Sequence, residues 1–227
     1  MLLISGDFFL NDRMIKMALT GSRTETPDQS NRIFCPALRG LTPPQTDLAF
    51  VMPRMDHNRQ VRENHRQGDW AALLASDPFG SEATMFGRLH EIGYLGVTNW
   101  PSSILLDGTL RQSMSTIPAS PEFEYDFLAR AQEAGFQAMA FFLSLDQART
   151  ALSAGLTRLV LHPGILDVRS EESGAMVLGS LQRLIDAIRA EAKDVSILAY
   201  TSAWHEDSVP LSTLAVDGLV WLEAGTS

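Results

Sequence analysis

Short, continuous apolar runs alternate with amphipathic segments along most of this chain of 227 residues. The runs lack a clean alternation of polar and apolar residues, which is typical of strands buried on both faces of a parallel sheet. Twice, a helical segment is followed by glycine and then by an apolar run, in EAGFQAMAFF and in SAGLTRLVLH. This order is typical of repeated βα units. The eight runs begin at Ile33, Asp47, Asp69, Tyr94, Phe136, Leu156, Val195 and Asp217.

Eight strands alternating with helices in a chain of this length predict an α/β fold, a single (β/α)8 TIM-like barrel that spans residues 1–227. A doubly wound open sheet is the structural alternative. Residues 1–31 are expected to form a helical segment and a linker, GSRTETPDQSN, in front of the barrel. Further helices are predicted over residues 54–67, 81–92, 121–134, 145–154, 174–192 and 207–215.

The composition excludes several classes of function. With 27 acidic and 18 basic residues the net charge is −9, which argues against nucleic acid or an anionic membrane as partner. No GxGxxG or P-loop motif follows an apolar run, so no nucleotide cofactor is expected. No apolar stretch reaches the roughly 20 residues of a membrane span, and the N-terminus reads poorly as a signal peptide. The expected location is therefore the cytoplasm.

Polar residues that follow predicted strands are the candidates for chemistry, because a barrel carries its active site at the carboxyl ends of its strands. Asp77 could act as a base or hold a divalent cation, or could cap the next helix. His162 could move a proton, or could bond a loop carbonyl. Tyr200 and Glu223 are expected at the same mouth. The segment His205–Glu206–Asp207 is interpreted as a solvated helix start.

Three further residues are candidates for binding substrate. Asn99 could hold a carboxylate or an oxyanion, or could satisfy its own turn. Arg111 could clamp a carboxylate, with Asp107 in the same loop, or these two residues could pair with each other. Cys35 is either a nucleophile or a small buried hydrophobe. The two lysines lie away from the strand ends, which makes a Schiff-base mechanism improbable.

Residues 75–79 (ASDPF) and 89–112 (LHEIGYLGVTNWPSSILLDGTLRQ) resemble the TIM-barrel signal transduction family, also described as phosphoenolpyruvate-hydrolase-like. Glu124 matches an acid on the next helix, where we expect it at the helix surface. His162 and Gly164 match an HMG motif. The other matching positions are Asp77, Pro78, Phe79, Gly93, Gly96, Val97, Asn99, Pro101, Asp107, Gly108 and Arg111.

The resemblance implies cleavage, hydrolysis or rearrangement of C–C or C–P bonds in small 2-oxo or dicarboxylic acids. It also implies Mg²⁺ or Mn²⁺ as the metal, with Asp77 as a ligand. The family's Gly-rich first loop is replaced here by PALRGLTPP, and its CHGGP motif by AYTSAW. A second hypothesis therefore stays open, in which the barrel has been recruited to a metal-free cyclisation or isomerisation, or binds a ligand or protein without catalysis.

The last predicted strand, GLVWLEAG, ends close to the last residue of the sequence, so that its outer face needs a cover. Residues 8–19 could fold back across it, or a second copy of the chain could cover it. Either arrangement favours a homo-oligomer, most simply a dimer.

Overall fold

Eight strands of the described residues run parallel and close into a barrel in chain order. The computed structural model describes residues 14–21, 31–52, 55–77, 80–114, 117, 119–166 and 170–223. The strands are β1 Ile15–Thr20, β2 Arg32–Phe34, β3 Trp70–Leu73, β4 Gly96–Asn99, β5 Gln137–Phe142, β6 Arg158–Leu161, β7 Ser196–Thr201 and β8 Gly218–Glu223. Strands β1 and β8 pair from Ile15 with Gly218 to Thr20 with Glu223, and this pairing closes the sheet.

Helices follow the strands and form the outer layer. They are α1 Pro43–Val51, α2 His57–Glu63, α3 Glu82–Ile92, α4 Gly108–Met114, α5 Pro121–Glu133, α6 Leu145–Ser153, α7 Glu171–Glu191 and α8 Ala203–Ser208. Five of them begin after a serine whose side chain accepts a hydrogen bond from a backbone N–H of the first turn. Gly135 and Gly155 follow α5 and α6 with φ of 98° and 85°, a conformation that favours glycine.

The strands are apolar on both faces because two layers of side chains pack against them. One layer fills the barrel and includes Ala72, Met139, Val160 and Leu198. The other lies between the sheet and the helices and includes Leu73, Ala140, Leu161 and Ala199. This packing explains the near-continuous apolar runs of the sequence. The predicted parallel (β/α)8 barrel is confirmed.

The first two strands differ from the prediction. The run that begins at Asp47 belongs to helix α1, which starts with Pro43 and Pro44, residues that suit a first helical turn. Strand β1 lies instead in the segment expected to be helical. Its residues alternate, so that Met17 and Leu19 point into the barrel while Lys16 is exposed. The last predicted helix, over residues 207–215, is replaced by α8 and a short 3₁₀ turn over Leu211–Thr213.

The outer face of β8 carries a partly exposed aromatic side chain. Trp221 is 37% exposed and lines a cavity of about 440 Å³ together with Leu219 and Lys16. Of the segment predicted to cover this face, the part from residue 15 onward forms β1, and residues 8–13 lie outside the described residues. The dimer stays a prediction. None of the helices described is both long and apolar enough to cross a bilayer.

Candidate active site

Two side chains from the carboxyl ends of β6 and β7 meet inside the barrel. Tyr200 belongs to the interior cluster, and His162 follows the inward-facing Val160 by two residues, one full period of a strand. Their rings stack with centroids 4.9 Å apart at an interplanar angle of 24°, and both side chains are buried. The pair therefore lies on the face of a parallel barrel that carries its chemistry.

Helix α1 covers this end of the barrel. The Phe50 ring packs edge-on against Trp100 with centroids 5.2 Å apart, and it tilts against His162 at 4.8 Å. The Phe50 carbonyl oxygen accepts a hydrogen bond of 2.9 Å from the backbone N–H of Ser102, in the loop after β4. Phe50 is only 1% exposed, so α1 holds the ring deep in the mouth.

The same helix brings a carboxylate to the mouth. Asp47 and its neighbour Thr46 are buried, and the Thr46 side chain hydrogen-bonds to Tyr200. The charge of Asp47 also acts on Tyr200 and raises the pKa of its phenol, adding to the effect of burial. Burial raises the pKa of Asp47 itself to about 6, because water no longer stabilises the ionised form. This carboxyl group therefore changes its charge close to neutral pH.

The protonation state of His162 follows from its contacts. Burial and, to a smaller extent, the neighbouring His205 lower its pKa to about 3, so the ring is neutral at physiological pH. The backbone N–H of Gly164 donates to Nδ1 at 3.0 Å, which makes Nδ1 the acceptor and places the ring proton on Nε2. That Nε2 is buried and has no hydrogen-bond partner among the described residues.

Two more titratable groups adjoin the pair. His205 lies against Tyr200 with ring centroids 5.6 Å apart, and its Nδ1 is 3.0 Å from the Ser202 hydroxyl oxygen. Burial lowers the pKa of His205 to about 4. Cys35 lies in the same interior cluster, where burial raises the pKa of its thiol well above the usual value. The thiol is therefore not ionised at neutral pH.

Asp77 was expected to hold Mg²⁺ or Mn²⁺, and this role stays a prediction. Its carboxylate accepts a hydrogen bond of 3.0 Å from the side-chain amide of Asn58. Nowhere in the described ranges do three His, Cys, Asp or Glu side chains come together as a metal-ligand group.

Comparison with known proteins bears on the identity of this barrel. The family model described as phosphoenolpyruvate hydrolase-like matches residues 53–201, from before β3 to the end of β7. The chain belongs to the phosphoenolpyruvate hydrolase-like family. The resemblance read from the DPF and NWP segments is thereby confirmed.

Two relatives are distant in sequence from this chain. The uncharacterized protein y4oT of Sinorhizobium fredii is 28% identical over 170 residues, which are 70% of this chain and 86% of that protein. The ToMV resistance protein Tm-1 of Solanum lycopersicum is 28% identical over 153 residues, 64% of this chain. The match spans only 20% of the tomato protein. A solved structure titled "Native KDPGal structure" is 18% identical, with 91% of this chain and 89% of that chain covered and a TM-score of 0.36.

Of the residues predicted to converge, only His162 and Tyr200 are in contact inside the barrel. Asn99 points outward to α5, where its Nδ2 donates to the Glu124 carboxylate at 2.9 Å. Its Oδ1 accepts from the backbone N–H of Phe141 at 2.7 Å. The amide of Asn99 is therefore used to join β4, β5 and α5, and it does not face the mouth as expected.

Glu124 is fully buried, so its expected place on the helix surface is wrong. Its carboxylate accepts hydrogen bonds from the hydroxyl groups of Ser102 and Ser103 and from the backbone N–H of Ser103. Burial raises the pKa of Glu124, and these donors oppose that rise. The carboxylate therefore anchors the loop that carries Trp100 into the barrel.

The other predicted binding residues lie at the surface. Arg111 is exposed and pairs with Glu122 at 3.1 Å rather than with Asp107. Asp107 is exposed, and its carbonyl oxygen accepts the backbone N–H of Arg111 at the start of α4. Glu223 is also exposed, with its carboxylate 3.7 Å from the Arg32 guanidinium.

Asp77 lies outside the barrel interior. It borders a cavity of about 220 Å³ that is also lined by Met85, Phe123 and Phe127. These three side chains come from the outer helices α3 and α5, so the cavity lies beside the barrel.

Three residues of the site were missed by sequence reasoning. Asp47 and Phe50 lie in an apolar run interpreted as a strand, and the two prolines before it were the available signal for a helix. His205 was assigned to a solvated helix start, yet it is only 1% exposed. Its aromatic neighbour Trp204 made burial foreseeable.

Proposed function

We propose that this protein is a barrel enzyme that transfers a proton next to the carbonyl group of a small carboxylate substrate. The observation that carries the proposal is that two buried titratable groups adjoin Tyr200 at the carboxyl ends of the strands: the charge of Asp47 acts on its phenol, and the His162 ring stacks on it. Burial shifts the pKa values of both groups away from their usual range, as is common at active sites.

Asp47 is the proposed general base. A base works best when its pKa lies near the working pH, because it is then ionised and still basic enough to take a proton. With its pKa raised to about 6, Asp47 meets both conditions at neutral pH. The proton that it takes would come from the carbon next to the substrate carbonyl.

His162 is the proposed electrophile. Its neutral ring presents the Nε2–H as a donor that would bond to the substrate carbonyl oxygen and stabilise the charge that develops there. A neutral imidazole combined with a carboxylate base is a known pair of groups for proton abstraction next to a carbonyl. Tyr200 would hold the His162 ring in place by stacking. Its raised pKa keeps the phenol protonated and therefore uncharged.

Exchange of substrate protons with solvent tests this proposal. In D₂O at pH 7.5, the protein is expected to accelerate exchange of the methyl protons of pyruvate, followed by ¹H NMR. Asp47→Asn should slow the catalysed exchange by about a hundredfold or more, because the side chain keeps its shape but loses the base. The control is Asp146→Asn, which changes a carboxylate that is 94% exposed on α6.

Equal loss in both variants would contradict the role of Asp47. A panel of pyruvate, oxaloacetate and 2-oxoglutarate that shows no catalysed exchange with the native protein would contradict the proposed reaction for this substrate class.

A second candidate is a barrel that binds a ligand without turning it over. The observation that favours it is the burial of the mouth under Phe50, which leaves His162 with no exposed surface. One relative is named as a resistance protein, which is not the name of an enzyme. Saturable binding of a small carboxylate without catalysed exchange would support this candidate over the first.

A further inference from the structure

Three hydrogen-bond donors inside the barrel are buried and lack a partner among the described residues. They are Nε2 of His162, Nε1 of Trp100 and Oγ1 of Thr98. Thr98 lies on β4 beside Ala72 and Met139, two residues of the interior cluster, so its side chain shares their side of the sheet. A buried donor without an acceptor destabilises a fold, and native proteins keep few of them.

The Phe50 ring packs against the two aromatic rings that carry these N–H donors. Its centroid is 5.2 Å from the Trp100 ring and 4.8 Å from the His162 ring, and Phe141 lies 5.9 Å away on a further side. A phenyl ring cannot satisfy an indole N–H and an imidazole N–H as an oxygen acceptor does. The Phe50 ring thus fills the space beside Trp100 and His162 but leaves their N–H groups without acceptors.

We propose that the Phe50 ring occupies the binding site of a small planar anion, and that this anion displaces the ring from the barrel mouth. The flat walls of Trp100, Phe141 and His162 favour a planar ligand of about the size of a phenyl ring. The neutral N–H donors favour an anion with at least two acceptor oxygens. The inference deepens the proposed function by describing its ligand site, but it concerns binding and does not require turnover.

Helix α1 is built so that its position is coupled to this site. Asp47 and Phe50 are three residues apart and therefore neighbours on one face of the helix. Leu48, on another face of α1, is 65% exposed, and Met52, directly after the helix, is 66% exposed, so the barrel-facing contacts hold the helix in place. When the anion displaces Phe50, α1 has to shift, and the position of Asp47 changes with it.

Truncation of the ring tests the proposal by calorimetric titration. Phe50→Ala should bind pyruvate at least tenfold more tightly than the native protein, because the ring no longer competes for the site. Leu48→Ala is the matched control, since it removes a large side chain from the exposed face of the same helix, and it should leave the affinity unchanged. Equal affinities of the native protein and of Phe50→Ala would overturn the proposal.

Benzene has as many non-hydrogen atoms as pyruvate but carries no charge. Comparing the binding of the two ligands therefore distinguishes an anion site from an apolar packing cavity. In the Phe50→Ala protein, a further Trp100→Phe change should weaken pyruvate binding about tenfold and leave benzene binding unchanged. If Phe50→Ala bound benzene but not pyruvate, the site would be an apolar cavity and the proposal would be wrong.

Two measurements do not depend on the folding of Phe50→Ala. Phe50→Leu keeps an apolar side chain and should still bind pyruvate more tightly than the native protein does. Pyruvate added to the native protein should shift the indole N–H resonance of Trp100, assigned with Trp100→Phe, and no shift at saturation would contradict the proposal. Tighter binding without proton exchange would leave this inference intact and refute the enzymatic proposal. Catalysed proton exchange by the native protein, together with an unchanged pyruvate affinity in Phe50→Ala, would refute this inference and support the enzymatic proposal.

Discussion

Replacing Glu124 with alanine is expected to lower the free energy of unfolding by about 3–5 kcal/mol. The Glu124 carboxylate is fully buried and accepts hydrogen bonds from Asn99, Ser102 and Ser103. Its removal leaves these donors buried without an acceptor and also creates a cavity behind β4. Urea denaturation followed by circular dichroism would measure the loss.

Two variants on α5 control this experiment. Glu122→Ala removes an exposed carboxylate that pairs with Arg111, and we expect a change of about 0–1 kcal/mol. Glu124→Gln keeps one acceptor oxygen and should destabilise the protein less than alanine does. An alanine variant at position 124 that unfolds at the same urea concentration as Glu122→Ala would contradict the anchoring role of this carboxylate.

Acid is expected to destabilise the protein below about pH 6.5, which is above the range in which ordinary exposed carboxylates titrate. Burial lowers the pKa of His162 to about 3 and the pKa values of His57 and His205 to about 4. In the unfolded chain these rings titrate near their usual pKa of about 6.5. Below pH 6.5 the unfolded chain therefore binds protons that the folded protein excludes, and stability falls as the pH falls.

Asp47 has the opposite effect on stability in part of the same range. Its pKa is about 6 in the folded protein and about 3.9 in an unfolded chain, so the folded state binds the extra proton between these values. Its contribution to stability is therefore largest below pH 4 and is lost as the pH rises through 6. At each pH, the effect of Asp47→Asn is the free energy of unfolding of the variant minus that of the native protein. This difference should be more positive at pH 8 than at pH 4.

The balance of these groups determines the expected slope. Three histidines against one aspartate leave a net uptake of about two protons on unfolding near pH 5.5, or about 2.7 kcal/mol for each pH unit. Urea denaturation between pH 5 and 7 measures this slope. His205→Gln should reduce it by about one proton, and His65→Gln, at an exposed position, is the matched control. A flat profile from pH 5 to 7 would show that the three rings are not held neutral.

The sequence alone was sufficient for the architecture. Strand and helix formation depends on local periodicity and on capping residues, both of which can be read from neighbouring positions. The serines before the helices and the glycines after α5 and α6 mark the boundaries that the structure shows. The family was likewise readable, because its DPF and NWP segments are contiguous in the chain.

The exceptions at the N-terminal end have a local cause. The run at residues 47–53 is short and apolar, and such a run fits a buried strand as well as one face of a short helix. Strand β1 carries the charged Lys16 as its second residue, whereas the charged residues of the other strands lie at a first or last position. In both segments, contacts with the rest of the barrel decided whether a helix or a strand formed, and the local sequence preference did not.

The site depended on tertiary structure, for reasons that particular residues make clear. In a strand that is apolar on both faces, the sequence does not reveal which alternate residues point inward, so Asn99 and Thr98 could not be told apart. Glu124 is buried because Asn99, Ser102 and Ser103 reach it from more than twenty positions away in the chain. Phe50 meets His162, and Asp47 acts on Tyr200, only because α1 folds over the end of the barrel. The sequence thus determined which strand ends carry polar groups. The direction of each side chain, and the burial that shifts its pKa, was decided by packing between elements distant in sequence.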